Sequence, residues 1–368
     1  MNLFIISDPH FGKYTLDSDR WLNLMKDYFY EFLIPTIKEF AKNNDKLLLL
    51  GDLFDNRNSI DMRAINIVVE LFEALSEIIE CHVLLGNHDQ RMMNDPSINS
   101  IATIRNIKNV FVYDKPTEIT FDDKDALMMP WVSGKNTEQE ILEKYTGKDL
   151  LFCHSDLNGC RTQLNPTRPN NKNILDIEDF SGFNKVYSGH IHIVQEIKNF
   201  TFVGSPYHLD RNDIQNTKGI FVYNTKKDKD IFIENDFSPE FKKYKITEKK
   251  HIDKLRKELE EENNFIDVEI SNNLIINDPK LRLEFDKLAN KHKIERIDYI
   301  NDIVKDEEED KPKKDFTNKS MKDISEEWVE NLDINHETDM FTEIELKEKM
   351  KETIEECFLT LQTKKGTR

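Results

Sequence analysis

The stretch Cys81-His82-Val83-Leu84-Leu85-Gly86-Asn87-His88-Asp89 is a short apolar run that stops on a glycine and then delivers an amide, an imidazole and a carboxylate. Buried parallel strands read as continuous apolar runs, and open α/β sheets carry their chemistry just beyond the carboxyl ends of such strands. Position alone therefore makes Asn87, His88 and Asp89 candidate site residues. Gly-Asn and His-Asp pairs also occur in plain turns, but here the same grammar repeats. Asn2-Leu3-Phe4-Ile5-Ile6 runs into Ser7-Asp8-Pro9-His10, and Lys46-Leu47-Leu48-Leu49-Leu50 runs into Gly51-Asp52-Leu53-Phe54-Asp55. Three apolar strands end in side chains of the metal-ligating type.

Further along, Leu150-Leu151-Phe152-Cys153 delivers His154, and Lys185-Val186-Tyr187-Ser188 delivers Gly189-His190-Ile191-His192. A lone histidine after a strand is ordinarily a satisfied structural residue; five such strand ends together are not ordinary. Histidines at i and i+2 of an extended segment point to opposite sides, and a turn at Gly189 would bring both imidazoles to one centre. The inventory of Asp8, His10, Asp52, Asn87, His154, His190 and His192 holds nitrogen and oxygen donors without thiolate. Such a set suits Mn, Fe, Zn or Co in a catalytic rather than a structural site. Seven donors exceed one tetrahedral ion. Two metals sharing a carboxylate fit the count and would clamp the reacting oxygens of a phosphodiester, which ranks phosphate-ester hydrolysis first.

The chain of 368 residues is 38% hydrophobic, enough for a sizeable core and two or three domains. No apolar run approaches the ~20 residues of a membrane span, and the N-terminus lacks the pattern of a signal peptide. Four cysteines without a C-x-x-C pair argue against a disulfide framework and a structural zinc. The expectation is a soluble protein of a reducing compartment, the cytoplasm, or the host cytoplasm if the chain is viral. Its formal charge of -18, from 52 basic and 70 acidic residues, is not that of a globally basic nucleic-acid binder. A bound metal or a cationic groove can reverse that average locally.

Between the motifs, Trp21, Met25, Tyr28, Phe29, Phe32 and Leu33 form a helical stripe that Pro35 should kink or end. Residues 62–80 present a wide apolar face, suited to a core helix or a dimer interface. Short strands near residues 110–113, 118–121 and 126–129 read as antiparallel additions to a second sheet. Gly204-Ser205-Pro206 is a turn that would close the rim of the site. From Glu248 a helix, strand, helix, strand pattern makes a compact α+β unit of two similar halves. Asp306 to Lys314 is a charged, Pro-containing run that reads as a solvated linker. Two amphipathic stripes follow, Ile324, Trp328 and Leu332, then Leu346, Met350, Ile354, Phe358 and Leu361 behind the capping box Thr342-x-x-Glu345.

Asp8-x-His10, Gly51-Asp52-x-x-Asp55, Gly86-Asn87-His88-Asp89, His154 and Gly189-His190-x-His192 resemble, in order, the motif series of the calcineurin-like metallophosphoesterases. Within that superfamily, Gly51-Asp52-Leu53-Phe54-Asp55 and the Gly204-Ser205-Pro206 turn resemble the nuclease subunits of SbcCD-type double-strand-break repair complexes. Residues 112–117 with Pro130-Trp131 are similar to the phage recombination endonuclease subunits among them. The motif likeness spans roughly the first two-thirds of the chain; beyond about Lys245 it is one of architecture.

The resemblance implies an α/β fold, a four-layer sandwich of two mixed β-sheets flanked by helices, with a small α+β capping domain and C-terminal helices. The implied division is a nuclease domain over 1–245, a DNA-capping domain over 246–302, an acidic linker over 303–319 and a helical ATPase-binding segment over 320–368. It further implies that Asp8, His10, Asp52 and His192 hold one metal and Asp52, Asn87, His154 and His190 the other, most readily Mn, with Asp52 as the bridge. His88 would act on the substrate, and Asp55, where many cellular relatives carry histidine, would orient and charge-stabilise His88. Asp89 has no implied role, and a loop-capping reading stands beside any functional one. Implied partners are DNA, an SbcC-like ABC ATPase subunit engaged by the C-terminal helices, and a second copy of the chain in a homodimer, with no membrane. A metallophosphatase acting on other phosphoesters, or a DNA-end-binding scaffold of weak activity, are the alternative readings. Arg57, Arg91, Arg161, Arg168 and Arg211, on loops adjoining the motifs, are the candidate phosphate contacts.

Overall fold

The computed structural model describes residues 1–13, 18–162, 170–261, 264–290 and 294–300, and beyond them 325, 329, 330, 347–351 and 353. It divides into two compact units, residues 1–302 and 303–368.

The apolar runs become strands buried on both faces. In the first sheet, β1 (Asn2–Ile6), β2 (Lys46–Leu49), β3 (Glu80–Leu84) and β6 (Val110–Tyr113) lie parallel in that order. Two antiparallel strands, β13 (Gly219–Asn224) and β14 (Lys229–Glu234), extend it beyond β1. In the second sheet β12 (Phe200–Phe202), β10 (Phe183–Ser188), β9 (Lys148–Cys153) and β8 (Lys124–Met129) are parallel. Here β11 (Gln195–Ile197) and β7 (Thr117–Phe121) are the antiparallel edges. Alternate residues along each strand serve different layers. Leu3, Ile5, Leu48 and Leu84 pack between the sheets against Met128, Leu150, Phe152 and Tyr187. Phe4, Ile6, Leu47, Leu49 and Val83 face outward to Tyr28, Phe29, Val68 and Phe72 on the helices. Leu127, Met129, Leu151 and Val186 face Leu142 and Phe180 on the far side. The result is the expected α/β sandwich of two mixed sheets between helical layers.

Two local expectations resolve differently, and a third, left between two readings, is settled. The helix α1 (Ser18–Asp27) does not stop at Pro35 but passes through a wider π-helical turn, Tyr28–Leu33, into α2 (Ile34–Phe40). The proline follows directly on that wider turn, which accommodates a residue with no N–H to give to the ladder. The strand at 110–113 joins the first sheet, parallel to β3, rather than the second, because a 3₁₀ crossover at Ser100–Thr103 returns the chain to the same edge. The face of α3 (Met62–Ser76) is a core face: Ala64, Val68, Leu71, Phe72 and Leu75 are buried, and Asp61 caps its start by accepting from the Arg63 N–H at 2.8 Å.

A third sheet of three parallel strands, β15 (Phe241–Ile246), β16 (Phe265–Ser271) and β17 (Arg296–Ile300), is crossed by α5 (Lys249–Glu261), α6 (Asn272–Asn277) and α7 (Lys280–Asn290). Ile246, Leu255, Val268, Ile270 and Phe285 form its own core. A division at 245/246 falls inside β15, which pairs with β16 along its whole length. This sheet rests on the body through Trp21, whose ring lies 4.9 Å from Phe265 at 5° and 6.0 Å from Phe241. Arg20 reaches Glu295 at 2.6 Å, and Arg211 grips Asp267 with two bonds at 2.5 and 3.0 Å. In the second unit residues 347–351 are helical, Met350 is half-buried, and Lys351 pairs with Glu330 at 2.8 Å. The 306–314 run and the remainder of both C-terminal stripes lie outside the described residues. Among those described, no helix is long and apolar enough to cross a membrane.

Trp21→Ala should destabilise the chain by about 3–5 kcal/mol, the usual range for deleting a buried large aromatic. Urea unfolding measures that loss, and hydrogen exchange should speed up first in β15 and β16.

Candidate metal centre

Register brings the strand ends abreast: Ile6 pairs with Leu49, Leu49 with Val83, and Cys153 with Ser188. The loops that follow converge between the two sheets. Gly86 lets the loop after β3 close on the loop after β2, since a Cβ there would fall 2.1 Å from the amide nitrogen of Asp52. A Cβ on Gly189 would fall 2.1 Å from the Ser7 hydroxyl and 2.4 Å from the Leu50 carbonyl oxygen. Four candidate ligands, Asp8, His10, Asp52 and His190, hold positive φ values of 54°, 48°, 51° and 78°. Such left-handed non-glycine backbone is strained and is retained where the surrounding structure imposes it, commonly at functional sites.

All seven expected donors come together. His10 and His192 face each other Nε2 to Nε2 at 3.1 Å, each 3.9 Å from Asp8 Oδ1. His154 Nε2 lies 3.4 Å from Asp52 Oδ2 and 2.9 Å from Asn87 Oδ1, and His190 Nδ1 is 2.9 Å from the same amide oxygen. Asp52 stands between the groups, its Oδ2 also 3.7 Å from His10 Nε2. Asp8, His10 and His192 form one cluster able to hold an ion, and Asp52, His154 and His190 another. Hydrogen bonding sets which nitrogen faces inward. His154 donates from Nδ1 to the Leu50 carbonyl at 2.7 Å, so a neutral ring turns its Nε2 lone pair toward the Asp52 carboxylate and the Asn87 oxygen. Acceptors facing acceptors in a buried place suit a cation, and the residues present fit a pair of divalent ions.

Charge inside the site is strongly coupled. Burial disfavours the Asp52 anion, yet His154, His10 and His88 outweigh it and hold the carboxyl far below its usual range. Burial likewise opposes protonation of His154, but Asp52 and Asp8 push it up to about 9. For His192 burial prevails and drives the imidazole well below its ordinary value.

His88 stands at the edge of the cluster. Its main-chain N–H donates to Asp52 Oδ1 at 2.7 Å, and its Nδ1 donates to the main-chain carbonyl of Asp55 at 2.6 Å. The Asp55 carboxylate makes no hydrogen bond to His88, but it lies within 4.8 Å of a His88 ring nitrogen and the two attract electrostatically. A bridge between Phe11 and Phe54, with the Asp55 N–H on the Phe11 carbonyl, sets Asp55 beside His10, and its Oδ1 lies 3.1 Å from His10 Nδ1. Asp55 therefore holds His88 through its backbone and sets its carboxylate against His10. Asp89 is buried and accepts from the main-chain N–H groups of Leu53, Phe54 and Gly86 at 3.2, 3.1 and 3.0 Å and from the Ser100 hydroxyl at 2.9 Å. It is a staple between two motif loops. The Gly204-Ser205-Pro206 turn is buried behind His192, whose carbonyl accepts from the Ser205 N–H at 3.2 Å, rather than at a rim.

Residues 1–194, more than half of the chain, match the family described as calcineurin-like phosphoesterase. The chain belongs to the calcineurin-like phosphoesterases. Members of this family use divalent metals. Over 244 residues the chain is 29% identical to exonuclease subunit 1 of Enterobacteria phage T4, covering 64% of this chain and 68% of that protein. It is 23% identical over 242 residues to protein 078R of Invertebrate iridescent virus 3, covering 62% and 64%. A solved archaeal phosphodiesterase aligns over its full length and 64% of this chain at 13% identity, with a TM-score of 0.34.

Sequence reading gave no site role to three neighbours of this phosphoesterase centre. Asp156, in a His-x-Asp spacing after β9, lies 3.9 Å from His190 Nε2. Trp131 packs its ring 5.1 Å from that of His190. Glu138, on α4 (Lys135–Lys144), is buried, and burial pushes its carboxyl up to about 7, with Asp156 adding to the effect. The folded chain then binds this proton more tightly than the unfolded one. The associated stability is complete below the unfolded pKa near 4.5 and is lost as pH rises through about 7. Between about pH 5 and pH 8 the native protein should lose on the order of 3 kcal/mol that Glu138→Gln retains, read from urea unfolding of both at the two pH values.

Proposed function

We propose that this calcineurin-like phosphoesterase is a two-metal DNA nuclease, an exonuclease on duplex ends and an endonuclease on single strands, with Asp8, His10, Asp52 and His192 holding one ion and Asp52, Asn87, His154 and His190 the other. The observation that carries this reading is the position of Asp52, whose Oδ2 lies 3.7 Å from His10 and 3.4 Å from His154. Two divalent ions, manganese foremost, would supply Lewis acidity to a phosphodiester and acidify water. His88, held at Nδ1 by the Asp55 carbonyl, keeps its other nitrogen for substrate and delivers a proton to the departing oxygen. Asp55 keeps His10 in the orientation and tautomer a ligand needs.

DNA as substrate draws support from the exonuclease subunit among the relatives and from a cleft of about 460 Å³ beside His88. Arg57 and Arg91 line this cleft together with Asn56, Asn58 and Ser100. Neither arginine has a hydrogen bond or ion pair among the described residues, whereas Arg20, Arg63, Arg105, Arg211, Arg256 and Arg296 are each bound to carboxylates. Arg211 is thereby spent on Asp267, Arg161 is exposed, and Arg168 lies outside the described residues. In the same proposal the chain works in the cytoplasm as a homodimer in recombination, repair or DNA degradation, residues 246–302 cap the DNA, and residues 320–368 engage an SbcC-like ABC ATPase.

His88→Ala should lower Mn-dependent cleavage about 100-fold to 10,000-fold while calorimetry finds the metals still bound. Asp52→Ala should lose metal and activity together. Full activity of the His88 variant, or a wild-type chain that hydrolyses a phosphoprotein and leaves DNA untouched, would contradict the nuclease assignment.

Binding to duplex DNA should weaken as salt rises, by a slope of about 0.9 per phosphate neutralised. Arg57→Ala with Arg91→Ala should reduce that slope by up to about 2 in fluorescence anisotropy. An affinity indifferent to salt excludes the electrostatic account.

A further inference from the structure

Three of the four histidines named as metal ligands have a protein acceptor near the second ring nitrogen, and one does not. His10 Nδ1 lies 3.1 Å from the Asp55 carboxylate, His154 Nδ1 donates to the Leu50 carbonyl, and His190 has Asp156 3.9 Å from Nε2 while its Nδ1 meets Asn87. The Nδ1 of His192 has no such partner among the described residues, and its ring is part-exposed. Besides the His10 ring, the groups that steady this residue are found at its backbone. The His192 carbonyl takes two donors, the Ser205 N–H at 3.2 Å and the ammonium of Lys218 at 2.7 Å.

Lys218 is buried, and its three protons go to three segments: the His192 carbonyl, the Ser205 hydroxyl at 2.8 Å and the carboxylate of Asp213. Asp213 is buried too, and its other oxygen accepts from the Leu209 N–H at 2.7 Å. A buried ion pair adds little stability over an apolar pair of the same volume, so packing alone does not account for an ammonium here. Three directed donors at one point do what no apolar side chain can, which is to aim a carbonyl.

We propose that Lys218, with Asp213 as its counter-charge, is the positioning residue for His192 and so sets the affinity of one of the two metals. The inference rests on the two-metal reading above. An outer partner of a ligand is typically worth 10- to 100-fold in metal affinity.

The test is calorimetric titration of the full chain with manganese chloride, below the melting transition of each variant, together with the electron paramagnetic resonance spectrum at two equivalents of manganese per chain, where a weakened site stays partly empty. Lys218→Met should weaken one of the two ions 10- to 100-fold, leave the other within about threefold, and replace the exchange-coupled signal of a metal pair by that of isolated ions. Unchanged affinity for both ions in Lys218→Met, whatever its melting temperature, overturns the inference alone. Should that variant fail to fold, the near-isosteric Asp213→Asn decides: a several-fold loss confined to one ion supports the proposal, and unchanged binding of both overturns it. A wild-type chain that binds fewer than two ions overturns the two-metal reading itself, and shows it before any variant is compared.

Discussion

A methyl group on Gly86 would lie 2.1 Å from the amide nitrogen of Asp52, and one on Gly189 would meet Ser7 and Leu50 at bonding distance. At Gly86 two neighbouring loops of the first sheet close on each other, at Gly189 the second sheet meets the backbone of the first, and the rest of the molecule is arranged around those contacts. They let carboxylates from β1 and β2 stand within 4 Å of imidazoles delivered by β9 and β10. They also force Asp8, His10, Asp52 and His190 into left-handed backbone, a strain the packed sandwich behind them sustains.

Crowding of this kind concentrates charge. Asp8 and Asp52 are buried beside four imidazoles, and the opposite shifts of His154 and His192 record how unevenly that pocket treats neighbouring groups. Around it, each loop is tied by a main-chain contact: Asp89 to the amides of Leu53, Phe54 and Gly86, and Lys218 to the carbonyl of His192. These ties cross between segments far apart in the chain. The centre is a property of the closed sandwich rather than of any one loop.

The acidic balance of the chain is a poor guide to this surface. Most described arginines are neutralised by carboxylates, and one of those pairs, Arg211 with Asp267, holds the third sheet to the body. Arg57 and Arg91 stand apart from that pattern beside His88. A local field of one sign next to a reacting group is what matters for an anionic substrate, and net charge averages it away.

Strand-end grammar was legible in the sequence because continuous apolar runs must be buried on both faces, and a buried strand can place polar groups only past its end. The α/β sandwich and the convergence of Asp8, His10, Asp52, Asn87, His154, His190 and His192 follow from that rule applied five times. Periodicity also made the two-part third sheet readable, though β15 was not, since Phe241-Lys242-Lys243-Tyr244-Lys245-Ile246 shows its buried face only once β16 lies beside it. Tertiary structure alone decided the partners. Whether Asp55 faces His88 or His10 depends on the bridge between Phe11 and Phe54, 43 residues apart in the chain, and local sequence carries no trace of that register. The same holds for Asp89 as a staple, for the Gly204-Ser205-Pro206 turn behind rather than beside the site, and for Lys218 beneath His192. A side chain's type is written in the sequence, but the group it meets is set by long-range packing, which hydrophobic period does not encode.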